Sequence, residues 1–198
     1  FEWFFNDVTL IRDAGTGTYT ADYKLRNVQR SIHSHSTVCI DGREPDYLLV
    51  HRPFTLMGRR SVIGEIKPLS GKYMAKCDLT LTGYQGMSAD FAVCRSIQVD
   101  EEGAALYITD SFHGSGKHIV EWSFVLGEVS QISIADEISS CFFSAGSLQI
   151  VFISFYKCQI WAEKVLLSDS YGCVSEGYAV RCREEVFFPF RAETHLRF

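Results

Sequence analysis

Three side chains near the amino end, Asp13, His33 and His35, are of types that bind divalent cations or move protons. Asp13 closes the apolar run "VTLIRD" and enters the glycine-rich turn "AGTGT". A carboxylate there can hold a cation or accept the amides of an Asx turn, and both readings stand. His33 and His35 lie in "RSIHSHSTVCIDG". Read as an extended strand, alternation puts His33, His35, Thr37 and Cys39 on one face, with Val38 and Ile40 on the other. Two imidazoles on one strand face suit a metal. Solvated or hydrogen-bonded imidazoles are the commoner outcome of the same spacing.

Other candidates are weaker. His118 shares an apolar stripe with Val120, Trp122, Phe124 and Leu126, which predicts a core histidine. Asp110 falls on the Leu106, Ile108 and Phe112 face, and a buried carboxylate needs a partner, for which His118 is the candidate. His113 belongs to "HGSGK" and is expected at the surface, while His51 and His195 carry no signal. "GTGT" and "GSGK" are not phosphate loops, because neither joins a strand to a helix. There is no G-x-S-x-G elbow, no H-E-x-x-H and no convincing triad order.

The elements that must position these residues are strands. Aromatic residues reach 14%, in short period-2 runs broken by turn residues. "FEWFFNDVTLIRD" predicts a hairpin turning at Asn6-Asp7, and "STVCID" a strand closed by Asp41-Gly42. "RRSVIGEIK", "YMAKCDLTLTGY" and "FAVCRSIQV" follow, and "DEEG" turns into "AALYITDSF". "HGSGK" is read as a tight turn into "HIVEWSFVL"; "SLQIVFISF", "KCQIWAEKVLL", "GYAVRCR" and "AETHLRF" complete the set. Only residues 20–30 admit a helical turn or two. About a dozen such strands predict one all-β domain over residues 1–198, an antiparallel β-sandwich or stacked multi-sheet domain.

A net charge of −5 with no basic face argues against a general nucleic-acid binder, and no apolar run approaches the ~20 residues of a membrane span. The seven cysteines show no C-x-x-C pair and are read as mostly free and buried. The chain opens "FEWFF" within a strand, which predicts a piece of a longer polypeptide.

In order, "FEWFFNDVTLIRDAGTGTY", "LRNVQRSIHSHSTVCIDG", "ALYITDSFHGSGKHIVEWSF", "SDSYG" and "RAETHLRF" resemble the C-terminal β-domain of the heparinase II/III-like polysaccharide lyases, over nearly the whole chain. The first two segments carry most of the likeness. Asp13 and His35 fall on the family's marked aspartate and histidine. The resemblance implies that these two help to hold zinc or another divalent metal, with a further histidine in an H-x-D motif upstream of "FE" and thus outside this chain. Two ligands at most then remain in this chain, unless His33 substitutes, and two are too few for a closed tetrahedral site. Tyr84 in "LTGY" and Cys94-Arg95 depart from the family pattern, which often has a histidine before Gly-Tyr and His-Arg at the second position.

The resemblance further implies β-elimination on an acidic polysaccharide, with the catalytic tyrosine and histidine in an α/α-toroid domain that this chain lacks. The parent would then be a lyase and this portion, with no complete catalytic set, inactive alone. Arg26, Arg30 and Tyr19 would face the substrate, Arg26 and Arg30 by bidentate carboxylate or sulfate recognition; a solvated segment is the other reading for the two arginines. The alternative function is a non-catalytic carbohydrate-binding or scaffolding β-sandwich, but Trp3, Trp122 and Trp161 lie in apolar alternation and are expected in the core. Lyases of this kind imply a periplasmic or secreted location, whereas unpaired cysteines fit the cytoplasm at least as well.

Overall fold

A computed structural model describes the chain except for residues 70, 72, 101–103, 128, 136, 138, 146–147, 155–157 and 198. The hairpin expected at the start is β1 (Trp3–Phe5) and β2 (Val8–Ile11), turning through Asn6 and Asp7 at φ 47° and 61°. Both residues tolerate that left-handed conformation, and the paired positive φ values match the right-handed strand twist. Helix α1 (Tyr23–Gln29) forms where one was allowed. Asp22 caps it by accepting the Lys24 and Leu25 amides at 2.9 and 3.0 Å.

His33 and His35 do not begin a strand. Residues Ile32–Ser34 form a 3-10 turn, capped by the Ser31 hydroxyl, and β3 starts only at Val38 (Val38–Ile40). Local side-chain-to-backbone bonding by Ser31 outcompetes the extended conformation that alternation assumed. The predicted shared face of His33 and His35 is therefore absent. Asp41 and Gly42 close β3 at φ 53° and 64°, as expected.

A minor pair, β4 (Tyr47–Leu48) and β5 (Leu56–Met57), precedes β6 (Ser61–Pro68), β7 (Tyr73–Thr82) and β8 (Ala92–Asp100). Then comes β9, Ala105–Val125, a single strand of 21 residues. The expected turn at "HGSGK" is instead a break in register within it. Gly114 and Gly116 take φ 116° and 106° opposite the cis Phe188-Pro189 bond, where the pairing slips between Phe188 and Phe190. The glycines bend the strand without reversing it. β10 (Gln131–Ala135) and β11 (Ser140–Ala145) were missed in the sequence because their alternation is Ser-rich and weak. β12 (Leu148–Ser154) and β13 (Gln159–Ser170) follow. "GYAVRCR" and "AETHLRF" are two parts of one strand, β14 (Cys173–Arg197). Residues 101–103 of the "DEEG" turn lie outside the described residues.

The order β10-β11-β12-β14-β9-β8-β7-β6 makes one antiparallel sheet, with β13 added to β14 and β3 to β9. The long partners β9 and β14 belong to two layers. Their Ala105–Phe112 and Phe190–Arg197 stretches lie between β8 and β12, whereas their other ends lie between β3 and β13. The layers share a core in which Trp122, Phe124 and Val180 from one meet Phe143, Ile108 and Leu196 from the other. This is the antiparallel β-sandwich that the alternation predicts.

Trp3 and Trp122 are buried as expected, and Trp161 is partly so. The pairing expected between Asp110 and His118 does not occur. Asp110 stands directly opposite Arg95 across β8 and β9, and register rather than burial chose its partner. His118 instead meets Asp41 at 2.9 Å and stacks on Phe188. Five of the seven cysteines are free, as expected, but Cys158 and Cys182 are disulfide-bonded, and of the free ones only Cys39 and Cys141 are buried.

Candidate functional site

Asp13 and His35 are brought together by backbone ties on either side of them. The Arg12 amide donates to the Val125 carbonyl at 3.0 Å, and the Val125 amide donates to the Ser36 hydroxyl at 3.0 Å. That hydroxyl donates in turn to the Arg12 carbonyl at 3.3 Å. With residues 12 and 36 locked on the end of β9, the neighbouring side chains meet. Asp13 Oδ2 and His35 Nδ1 are 2.5 Å apart, though 22 residues separate them in sequence.

The other Asp13 oxygen, Oδ1, accepts the Gly15 amide at 2.8 Å. The Asx-turn reading of Asp13 thus holds on one oxygen, while the other meets His35. Burial pushes its carboxyl pKa up, but the His35 and Gly15 hydrogen bonds outweigh burial and hold it below the usual value. An ionised Asp13 accepts Nδ1–H and leaves the His35 Nε2 lone pair available. That pair can act as an oriented base or as part of a ligand set.

Gly15 is required here. Its φ is +75°, and a Cβ would run into the Ser168 carbonyl. The Ser168 amide donates to Ala14 at 2.8 Å, and Arg12 pairs with Asp169 at 2.8 Å, so the turn is moored to the end of β13.

Behind His35 lies a buried polar relay. Arg95 grips Asp110 with two bonds of 2.7 and 2.8 Å, and Trp122 Nε1 donates to the same carboxylate at 3.0 Å. The remaining Arg95 nitrogen donates to the Ser36 carbonyl at 3.2 Å. The guanidinium fork satisfies a carboxylate and a carbonyl at once, which a lysine could not do with the same geometry. In the family pattern Cys94 is the departing member of the Cys94-Arg95 pair and Arg95 conforms; the opposed charges at positions 95 and 110 are visible in the sequence, but their register is not.

His35 opens onto a cleft of about 640 Å³ also lined by Arg26, Arg30, Glu44, Phe54 and Arg95. Arg26 donates to Thr16 Oγ1 at 3.1 Å and to the Pro53 carbonyl at 3.5 Å. Arg30 is more heavily engaged, donating to Asn27 and to the Leu49, Arg52 and Thr55 carbonyls at 2.7–3.3 Å. Both arginines line the cleft while clamping the 49–55 loop onto α1. Tyr19 lies beside Arg26, whose Cζ is 5.6 Å from the ring centroid.

His33 points elsewhere. Its ring contacts Glu121 at 3.3 Å and Cys39 at 3.9 Å, and these two neighbours, Cys39 foremost, push its pKa up to about 10 against burial. Tyr84, also missed in the sequence as a fixed element, donates to the Arg43 carbonyl at 2.7 Å and accepts the Ile40 amide at 3.3 Å, bracing the turn after β3.

Among the described residues no group of three or more His, Cys, Asp and Glu side chains is placed to hold a metal ion. Asp13 and His35 offer oxygen and nitrogen donors of a kind zinc accepts, but only two of the four that a closed site needs. By themselves these residues do not fit a metal centre.

The fold and site define a β-sandwich module that carries an aspartate–histidine pair whose histidine lines an arginine-lined cleft. The family described as "Heparinase II/III-like, C-terminal" matches residues 1–192, and the chain belongs to that family. No curated protein matches it. Among solved structures, a heparan sulfate lyase HepC mutant from Pedobacter heparinus superposes with a TM-score of 0.77 at 16% identity, over 99% of this chain and 29% of that one. The heparinase III BT4657 gene product gives 0.76 at 17% identity, again over 99% and 29%. A further heparinase III structure gives 0.71 at 14%, over 96% and 28%. The chain thus spans under a third of the length of these structures, and at such identities the likeness is one of fold.

Proposed function

We propose that this chain is the C-terminal β-domain of a polysaccharide lyase that cleaves an acidic glycan by β-elimination. The observation carrying the reading is the Asp13–His35 contact, whose imidazole lines the cleft. β-Elimination needs a neutralised uronate carboxylate, a base for the C5 proton and an acid for the leaving oxygen. In this reading the proton-transfer groups come from an α/α-toroid domain, and this domain supplies the cleft wall and a held imidazole. Arg26 and Arg30 fix the wall and add positive charge, and Tyr19 continues it.

Zinc or another divalent ion belongs to the same proposal. His35 would be one of its ligands through Nε2, with Asp13 orienting the ring through Nδ1 and the other ligands contributed from outside these 198 residues. Such an ion would orient this edge of the sandwich against the neighbouring domain. A periplasmic or secreted location is the one we favour, because the Cys158–Cys182 bond suits an oxidising compartment.

The test is the unsaturated uronate absorbance released from acidic polysaccharides by the full-length parent. Activity should be present and should fall on Asp13→Ala or His35→Ala. Activity unchanged in both variants, or a parent with no helical toroid, would remove the proposal.

A further inference from the structure

Three aromatic side chains from three separate segments stack in the open beside the cleft. Tyr19 lies 5.7 Å from Phe54 at 30° between ring planes, and 5.8 Å from Tyr171 at 16°. Their relative exposures are 44%, 70% and 61%. Single exposed aromatics are ordinary, but a contiguous row held in register leaves apolar surface in water that a partner could cover.

The row is held by the backbone. Phe54 sits on the 49–55 loop that Arg26 and Arg30 clamp to α1. Tyr171 occupies the β13–β14 turn with Gly172, whose amide donates to the Gly17 carbonyl at 2.8 Å. Tyr19 follows the glycine turn that Asp13 organises. Flat rings fixed in advance lose little entropy when a ligand arrives.

The charge around the row is positive in an otherwise acidic chain. Within the cleft lining that includes Phe54, Arg60 is paired with Asp46 and Arg95 with Asp110, which leaves Arg26 and Arg30 against Glu44, while the whole chain is −5. Among the described residues none of the Arg26 or Arg30 hydrogen bonds goes to a carboxylate, so their charge stays available to the cleft.

We propose that the outer face of Phe54, backed by the stacked rings of Tyr19 and Tyr171, is a saccharide-stacking subsite that seats one ring of an anionic oligosaccharide and leads the rest of the chain past Arg26 into the cleft. The C–H face of a pyranose lies flat on an exposed aromatic ring, and its carboxylate or sulfate groups suit the guanidinium. The choice of an anionic glycan rests on the lyase-domain reading; the platform itself rests on the ring geometry.

Calorimetric titration of the chain with a hexasaccharide of alternating hexuronate and sulfated hexosamine tests this. Binding is expected, weakening as salt is added. Phe54→Ala and Tyr171→Ala should each raise Kd roughly 3- to 10-fold, and Phe54→Tyr should keep it near the starting value. Both alanine sites are exposed, and a melting curve checks each fold. Unchanged Kd in both variants, no binding at millimolar hexasaccharide, equal affinity for a neutral glucan hexasaccharide, or tighter binding of poly-glutamate would each overturn the subsite. Loss of parent activity in Asp13→Ala with Kd unchanged in the platform variants removes the platform and keeps the lyase reading. Full parent activity in Asp13→Ala and His35→Ala with weakened platform variants does the reverse.

Discussion

Asp13 Oδ2 stands 2.5 Å from His35 Nδ1, and that contact depends on residues 12 and 36 sharing Val125 as an anchor. The two side chains are 47% and 37% exposed, so the pair contributes about 0–1 kcal/mol to stability. Asp13→Ala and His35→Ala should therefore melt close to the unaltered chain, yet under the proposed function lower the lyase activity of the full-length protein by roughly 10- to 100-fold. Asp13→Asn keeps an acceptor for Gly15 but loses the anionic partner of His35. It should retain the turn and still lose activity, which separates the two roles in one assay.

Gly15 gives a purely structural test of the same loop. Gly15→Ala forces a side chain into the left-handed region and against the Ser168 carbonyl. The expected cost is about 1–3 kcal/mol in urea denaturation, with the His35 ring resonances shifted. A neutral outcome on both readouts would mean that the turn is not held as described.

Arg95 and Asp110 are buried together, so removing one charge strands the other. Arg95→Leu is expected to destabilise the fold by about 3–5 kcal/mol, and Arg95→Leu with Asp110→Leu to recover much of that loss. Denaturant midpoints of the two single variants and the double variant form the cycle. A double variant that loses as much as Arg95→Leu, with Asp110→Leu near neutral, would assign the cost to the missing Ser36 contact instead.

Asp41 predicts a pH dependence. Burial raises its carboxyl pKa, but hydrogen bonds from His118 and the Ile119 amide win and hold it below the usual value. A depressed folded-state pKa stabilises the fold above the unfolded pKa, roughly 3.9, and that contribution fades as pH falls through the lower folded value. Stability measured at pH 5 and pH 3 should therefore drop more in the unaltered chain than in Asp41→Asn. Identical drops would show that the carboxylate has no such role.

The Cys158–Cys182 bond closes a loop of 24 residues. Cys158→Ser with Cys182→Ser should cost about 3 kcal/mol. Thiol titration of the denatured, unreduced chain should find five free thiols, and a count of seven would refute the bond.

The sequence alone was enough for the strand-rich fold and for most local turns. Asn6-Asp7 and Asp41-Gly42 sit in the turns expected of residues that tolerate positive φ, and period-2 patterning placed β3, β6, β7 and β8. These features are set within a few neighbouring residues. The likeness that marked Asp13 and His35 was also readable, since short motifs carried it. What failed was whatever depended on register or on competition between local forces. "HGSGK" has the residues of a turn, but pairing along both flanks with β14 kept β9 running through it. His33 and His35 have strand spacing, but Ser31 capped a 3-10 turn and sent the two rings to different partners. Asp110 called for a partner that only the β8–β9 register could name. Local composition decides where a chain extends and where it bends. Which side chains meet across 22 or 77 residues is decided by how the strands pack, because those contacts exist only after the sheets have closed on one core.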